Sequence, residues 1–385
     1  MRILHSSTPK KQAAAQEQVL SEKDRIPYQK AYKNGIIRLA DQTYAKMYAV
    51  PDTQRSADVK KMFLNLLVSF GTRIHIQQTA YCRNVAAEES VQLLYKFFIV
   101  SAEAVSIDTA RQIFNDINTK IVECGANIVP LTQTFSVLYD TYHMEPTLSV
   151  DENMWWALRL EEDLTSESFW KCMRVKGMSS KEFLVPKTLE YFEDHARVGD
   201  MYARVLKIEP FSLSESIISE LMALDFSTII SMHCDGMDGH TAERKGRKSW
   251  KQKGYDLPDS RTDESFSVMK NHFFSVTTTA VIFSEDKKRL DENTELFQSL
   301  LAHYCIDSEI LYSPHPQEAG FLASAPCGIC RHLVSNDVSS AAFLFFRMIL
   351  VAAYPEHISP TPVMSYNRHY TKAEYLNRRT AAFGV

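Results

Sequence analysis

The chain has 385 residues, of which 45% are hydrophobic and 23% charged, the balance of a folded globular protein able to bury a sizeable core. That length exceeds one ordinary domain and points to two or three. A net charge of −4 excludes a global attraction to nucleic acid or acidic membranes, and seven cysteines scattered along the chain suit a reducing compartment better than a disulfide framework.

Residues 1–23 are polar and poor in large apolar groups, which reads as a disordered arm. They contain no apolar core of a signal peptide. The best apolar run, Ala341 to Tyr354, is 14 residues long and contains Arg347, so it reads as buried rather than membrane-spanning. The expected location is the cytoplasm, peripheral at the inner face of the cell membrane and held there through a partner.

Residues 35–50 read as a hairpin turning near Asp41 and Gln42. Val59, Met62, Phe63, Leu66, Leu67 and Phe70 then form one stripe of a 3.6-period helix, with Ser56 as its N-cap and Gly71 as its stop. Arg73 to Arg83 alternates, with Ile74 and Ile76 on one face, and Leu93 to Val105 follows as a second strand. A helix bearing Ala110, Ile113, Phe114, Ile117 and Ile121 stops at Gly125, and Ile128–Val129 closes the unit. The order β-α-β-β-α-β predicts a split βαβ, ferredoxin-like module over 24–145, with the face opposite its helices available to a partner.

Residues 146–199 read as a helical and loop connector containing Trp155, Trp156 and the acidic Glu161, Glu162 and Asp163, a solvated face with no orienting partner for acid–base work. From 200 to 346 the pattern repeats in topology, though not in residue identity. Met201–Phe211 is a strand, and Ser212 with Glu215 is a capping-box signature before Ile217, Ile218, Leu221 and Leu224. Ser227–Cys234 is a strand, an insert occupies 236–270, and Phe273–Phe283 is a strand. Leu290, Thr294, Phe297 and Leu301 mark a helix, and Ile306–Tyr312 a last strand. The fold class expected is therefore α+β, two ferredoxin-like modules in tandem with a helical insert in the second and a divergent tail over 347–385.

Chemistry is sparse. Gly246-Arg247-Lys248-Ser249 is the nearest approach to a phosphate-binding loop, but Thr241 stands where its first Gly belongs and Arg247 where its Lys belongs. The basic run Arg244, Lys245, Arg247, Lys248, Lys251 and Lys253, with Trp250, could contact phosphate on nucleic acid or anionic lipid, or form the solvated face of an insert helix. Cys327, Cys330 and His332 have metal-like spacing without a second knuckle, which favours ordinary thiols. His233 and Cys234, with His240 nearby, fall on opposite faces of a strand, which disfavours joint ligation. No catalytic, cofactor or metal site is expected in this chain.

A resemblance enters at 177–205. Gly177-Met178-Ser179-Ser180-Lys181-Glu182-Phe183-Leu184-Val185-Pro186, followed by Gly199-Asp200-Met201-Tyr202-Ala203, resembles the amino-terminal region of VirB4-type ATPases, which energise type IV secretion and conjugation machines. Asp24-Arg25-Ile26-Pro27-Tyr28-Gln29, Lys33-Asn34-Gly35-Ile36, Leu290-Asp291-Glu292-Asn293, Gln317-Glu318-Ala319-Gly320 with Ser324, and Ser339-Ser340-Ala341-Ala342-Phe343 extend the similarity over about 24–346. The resemblance implies docking onto inner-membrane channel subunits and other VirB4-like subunits, with ATP handled by a RecA-like motor. The chain reaches Val385 without Walker motifs, and 347–385 does not resemble the family's next segment. The expectation is an oligomeric scaffold without its motor. The alternatives are a truncated, frame-changed product of a complete ATPase, and an unrelated ferredoxin-like nucleic-acid-binding protein using the basic insert.

Overall fold

The computed structural model describes residues 26–32, 34–50, 56–85, 91–144, 179–208, 215–236, 273–326, 330 and 336–339. The first half holds strands β1 (Tyr28–Ala31), β2 (Ile37–Leu39), β3 (Tyr44–Ala49), β4 (Ile74–Val85), β5 (Val91–Ala102) and β6 (Asn127–Ile128). Its helices are α1 (Ser56–Phe70), α2 (Ile107–Glu123) and α3 (Leu131–His143). The second half opens with α4 (Ser180–Leu184), β7 (Leu189–Tyr191), β8 (Ala196–Val198) and β9 (Met201–Ile208). It continues with α5 (Glu215–Met222), β10 (Thr228–Gly236), β11 (Phe273–Ser284), α6 (Lys287–His303), β12 (Ser308–Ile310), α7 (Pro314–Ser324) and β13 (Asn336–Ser339).

Local chemistry sets the helix ends. Ser106 caps α2 by accepting from Thr109 N, and Asp286 caps α6 by accepting from Arg289 N, each satisfying an otherwise orphaned donor. The apolar stripes then decide which side each helix buries. Val59, Met62, Phe63, Leu66 and Leu67 of α1 are buried, as are Ala110, Phe114, Ile117 and Ile121 of α2 and Leu290, Phe297 and Leu301 of α6.

The described strands join one open antiparallel sheet of 13 strands whose main path runs β1-β2-β3-β5-β4-β10-β11-β9-β8-β7. In the first half the local order is β6-β3-β5-β4, and in the second it is β12-β9-β11-β10, so the same wiring occurs twice. The halves meet where β4 pairs with β10, from Cys82↔Thr228 to His75↔Asp235. Edge-to-edge pairing of this kind closes two strand edges that would otherwise face solvent.

The sheet is covered on both faces. Helices α1, α2, α5 and α6 pack on one face, over Ile76, Ala80, Phe98, Ile230 and Val276. On the other, α3, α4 and α7 cover Tyr81, Tyr95, Phe97, Ile229 and Phe283. This corrects the expectation that the face opposite the helices is available to a partner. The physical reason lies in strands such as β5, where Tyr95, Phe97 and Ile99 point to one core and Phe98 and Val100 to the other; a strand apolar on both sides needs two covers. A second difference concerns 189–198, read from sequence as connector, which forms β7 and β8 and extends the sheet. Leu189, Ala196 and Val198 are buried there at period two. Helix α7 and strand β13 were also unanticipated.

Helix α3 is tied down by a buried charge cluster. Arg83 on β4 forms an ion pair with Asp140 on α3, and Tyr95 on β5 donates to the other carboxylate oxygen at 3.0 Å. At the end of the same helix, Gly199 has φ +59, and a Cβ there would stand 2.4 Å from the carbonyl oxygen of His143. Only glycine fits both the backbone and the space.

Candidate functional site

Because β4 and β10 are antiparallel neighbours, their alternating side chains sort into two rows. Ile76, Ala80, Ile230 and Met232 enter the core under α1 and α5. The other row is polar: His75, Gln77 and Thr79 from β4, and Ser231, His233 and Asp235 from β10. Gln77, Thr79, Ser231 and His233 are buried, His75 is mostly buried and Asp235 half-buried. Buried polar groups demand partners, and here they find the C-terminal end of α7, whose last carbonyls have none within the helix.

The fit is specific. His233 Nε2 donates to the carbonyl of Ala323 at 2.6 Å. Gln77 Nε2 donates to the carbonyls of Ala325 at 2.9 Å and Ala323 at 3.1 Å. Ser231 Oγ donates to the carbonyl of Ser324 at 2.8 Å. Ser324 Oγ in turn donates to Thr279 Oγ1 on β11 at 2.7 Å. At the other end of α7, Gln317 is fully buried, accepts from Val205 N at 3.2 Å and donates to the carbonyl of Leu311. Gly320 lets the helix lie close, since a Cβ there would stand 2.6 Å from both Val205 Cγ1 and Leu311 Cδ1. Side chains from both halves of the sheet thus cap one helix.

His75 extends this network outward. Its Nε2 lies 2.8 Å from His233 Nδ1 and its Nδ1 lies 2.6 Å from Asp235 Oδ1. The two imidazole rings lie within 26° of parallel with centroids 4.9 Å apart. His75 and Asp235 reach a half-open cleft of about 200 Å³ whose wall includes Asp41, Arg73, Glu103 and Cys330.

The charges follow from the surroundings. Burial, and then the neighbouring charge of His75, push His233 down to about 3, against the upward pull of its bond to the Ala323 carbonyl and of Asp235. Burial pushes the Asp235 carboxyl up, but the charge and hydrogen bond of His75 outweigh it, so the net shift is downward. Burial and the charge of Asp235 push the Cys330 thiol up to about 12, despite the hydrogen bond from Thr277 and the charge of Lys207.

These values define what the site can do. A cysteine nucleophile needs its thiolate, or a base that takes the proton. Cys330 is held as the thiol, and both nitrogens of His75 are engaged, one by Asp235 and one by His233. The arrangement therefore links His75, His233 and Asp235 into one hydrogen-bonded chain that caps a helix. Among the described residues no group of three or more His, Cys, Asp or Glu is placed to hold a metal. His233 and Cys234 do face opposite ways, with Cys234 in the core under the helices.

No family model matches the chain, and no curated protein does. No helix among the described residues is long and apolar enough to cross a membrane.

The basic run Arg244, Lys245, Arg247, Lys248, Lys251 and Lys253 lies outside the described residues, as do Glu161, Glu162, Asp163, His240, Cys327, His332, Gly177 and Met178. Ser179 does cap α4, in a capping box with Glu182. Sequence reasoning singled out His233 but not His75, Gln77 or Asp235. The signal was the alternation itself. His75, Gln77 and Thr79 interleave with Ile74, Ile76 and Ala80, just as Ser231, His233 and Asp235 interleave with Ile230, Met232 and Cys234.

Proposed function

We propose that the chain is a scaffold and docking component of a VirB4-like conjugation or type IV secretion machine, built from two ferredoxin-like split βαβ modules in tandem. The observation that carries this is where the residues of the family resemblance fall. Gly199 permits the contact with the end of α3, while Gln317, Gly320 and Ser324 fasten α7 to the sheet. Ser179 and Glu182 start α4, and Asp291 pairs with Arg204. They are joints of the architecture, which supports reading the resemblance as one of construction rather than of catalysis. Their role supports a framework that presents surfaces, with ATP hydrolysis belonging to a RecA-like motor of the family.

Both sheet faces are covered, so partners must be engaged through the outer helix surfaces, the edges at β1 and β7, or the segments outside the described residues. The test is to cross-link a tagged chain at the membrane of its own host, identify its neighbours, and sequence the DNA on either side of its gene. Channel subunits of a conjugation machine among the cross-linked partners, and conjugation genes beside the locus, are the expected result. A soluble chain with no channel partner, in a locus without transfer genes, overturns the reading.

A further inference from the structure

We propose that Asp235, His75 and His233 form a one-proton latch that docks α7 across the joint between the two halves of the sheet and loosens it on either side of a pH window. The argument is a count of hydrogens. A carbonyl only accepts, so His233 Nε2 carries the hydrogen shared with Ala323 O at 2.6 Å. His233 is fully buried while the His75 side chain is 17% exposed, so the charge belongs on His75; His233 is then neutral with Nδ1 as acceptor, and His75 Nε2 supplies the hydrogen between the rings at 2.8 Å. The carboxylate of Asp235 also only accepts, so His75 Nδ1 donates across 2.6 Å. Assigned from this network, His75 is the cation, His233 is neutral and Asp235 is the anion.

One proton fewer breaks one link. A neutral His75 that keeps its Nδ1 hydrogen turns a bare Nε2 toward His233 Nδ1. If His233 then shifts its hydrogen to Nδ1, its bare Nε2 faces the Ala323 carbonyl, and α7 loses that cap. One proton more is no better. Placed on His233 Nδ1 it meets the hydrogen of His75 Nε2, and placed on Asp235 it removes the charge that holds His75.

The other groups around the latch do not replace these links. Gln77, Ser231 and Thr277 are neutral, and Cys330 is a thiol. Among the described residues, Lys207, Arg73, Glu103 and Asp41 are the other charged groups around the cleft and Cys330. Helix α7 brings backbone carbonyls to the latch, while its own titratable groups, His315 and Glu318, lie in its first half. The latch therefore senses protons through three side chains on two neighbouring strands, and its output is the attachment of α7.

The test uses the full chain. Amide hydrogen exchange of α7 is measured relative to that of α2, from about pH 2 to about pH 9. Relative protection of α7 should peak within this range and fall about tenfold on each side, the size of one buried hydrogen bond. The discriminating variant is Asp235→Asn. Its amide donates to a neutral His75 Nδ1, His75 Nε2–H still donates to His233, and the chain closes without the extra proton. The alkaline fall should vanish in this variant. Ring-nitrogen NMR of the unmodified protein should show His75 doubly protonated and His233 carrying its hydrogen on Nε2, a readout that stands even where the variant fails to fold. Two neutral rings throughout, α7 protection that parallels α2 at every pH, or an Asp235→Asn profile identical to the parent overturns the proposal.

Discussion

Arg83 and Asp140 face one another with almost no solvent, their side chains 3% and 0% exposed, and so bind the centre of the sheet to α3. Removing one partner strands the other charge in the core. Asp140→Ala should cost about 3–5 kcal/mol, whereas Arg83→Met combined with Asp140→Leu should recover most of that loss. Urea unfolding of the single and double variants measures both. Equal instability in the two would show that the site depends on shape rather than on charge.

Gly199 and Gly71 separate backbone strain from steric clash. Both have positive φ, +59 and +57, but a Cβ at Gly71 meets nothing within 4 Å, while one at Gly199 meets the His143 carbonyl at 2.4 Å. Gly71→Ala should cost about 1 kcal/mol from the backbone alone. Gly199→Ala should cost at least about twice that, because α3 must move as well. Thermal unfolding of the pair gives the comparison.

Gln78 runs against the usual accounting. It lies between Ile76 and Ala80 on β4, is fully buried, and neither side-chain oxygen nor nitrogen has a partner among the described residues. A buried amide without partners costs about 1–3 kcal/mol. Gln78→Met should therefore stabilise the protein by about 1 kcal/mol, read as a higher urea midpoint at an unchanged slope. A lower midpoint would reveal a polar contact for this side chain.

Phe63 supplies the opposite case. It is 1% exposed and packs edge-on against Phe98 with centroids 5.0 Å apart. Phe63→Asp buries an unpaired charge in the core under α1 and should unfold the protein at ordinary temperature. Unchanged thermal unfolding would remove this stripe from the core.

Acid should destabilise the protein in two stages. His233 is held at about 3, below its usual 6.5, so its contribution is complete above 6.5 and is lost as pH falls toward 3. Asp194 follows. Burial alone would raise its carboxyl, but hydrogen bonds from His195 and Lys287 and the charges of Arg204 and Lys287 hold it at about 2, below its usual 3.8. Its contribution is complete above 3.8 and is lost toward 2. His233→Gln should flatten the first stage and Asp194→Asn the second in urea midpoints measured against pH. A His233→Gln profile with the parent's slope between about pH 6 and pH 4 would contradict the assignment.

Much of the framework was legible because it rests on local periodicity. The α1 stripe from Val59 to Phe70, the α2 stripe with Gly125 at its end, and the strand nearest each helix all stand where the apolar spacing put them. Helix α7 was missed because its burial does not follow an apolar stripe: Gln317, Gly320 and Ser324 are among its buried residues. The small β7–β8 hairpin was missed because three-residue strands carry too little alternation to stand out. The polar network escaped for a different reason. His75 and Asp235 are 160 positions apart in the chain, and only the register of β4 against β10 makes them neighbours. A single-sequence pattern offers no way to infer that register.

The β4–β10 ladder has a consequence for how the polypeptide can be divided. A break between His143 and Ser179 would leave each fragment with a long strand edge of matched register and half of the socket that receives α7. Such fragments would be poor independent domains and good complementary ones, sticky alone and able to rebuild the whole when mixed. The division suggested by the repeated wiring is thus one of topology, while the unit that folds is the pair.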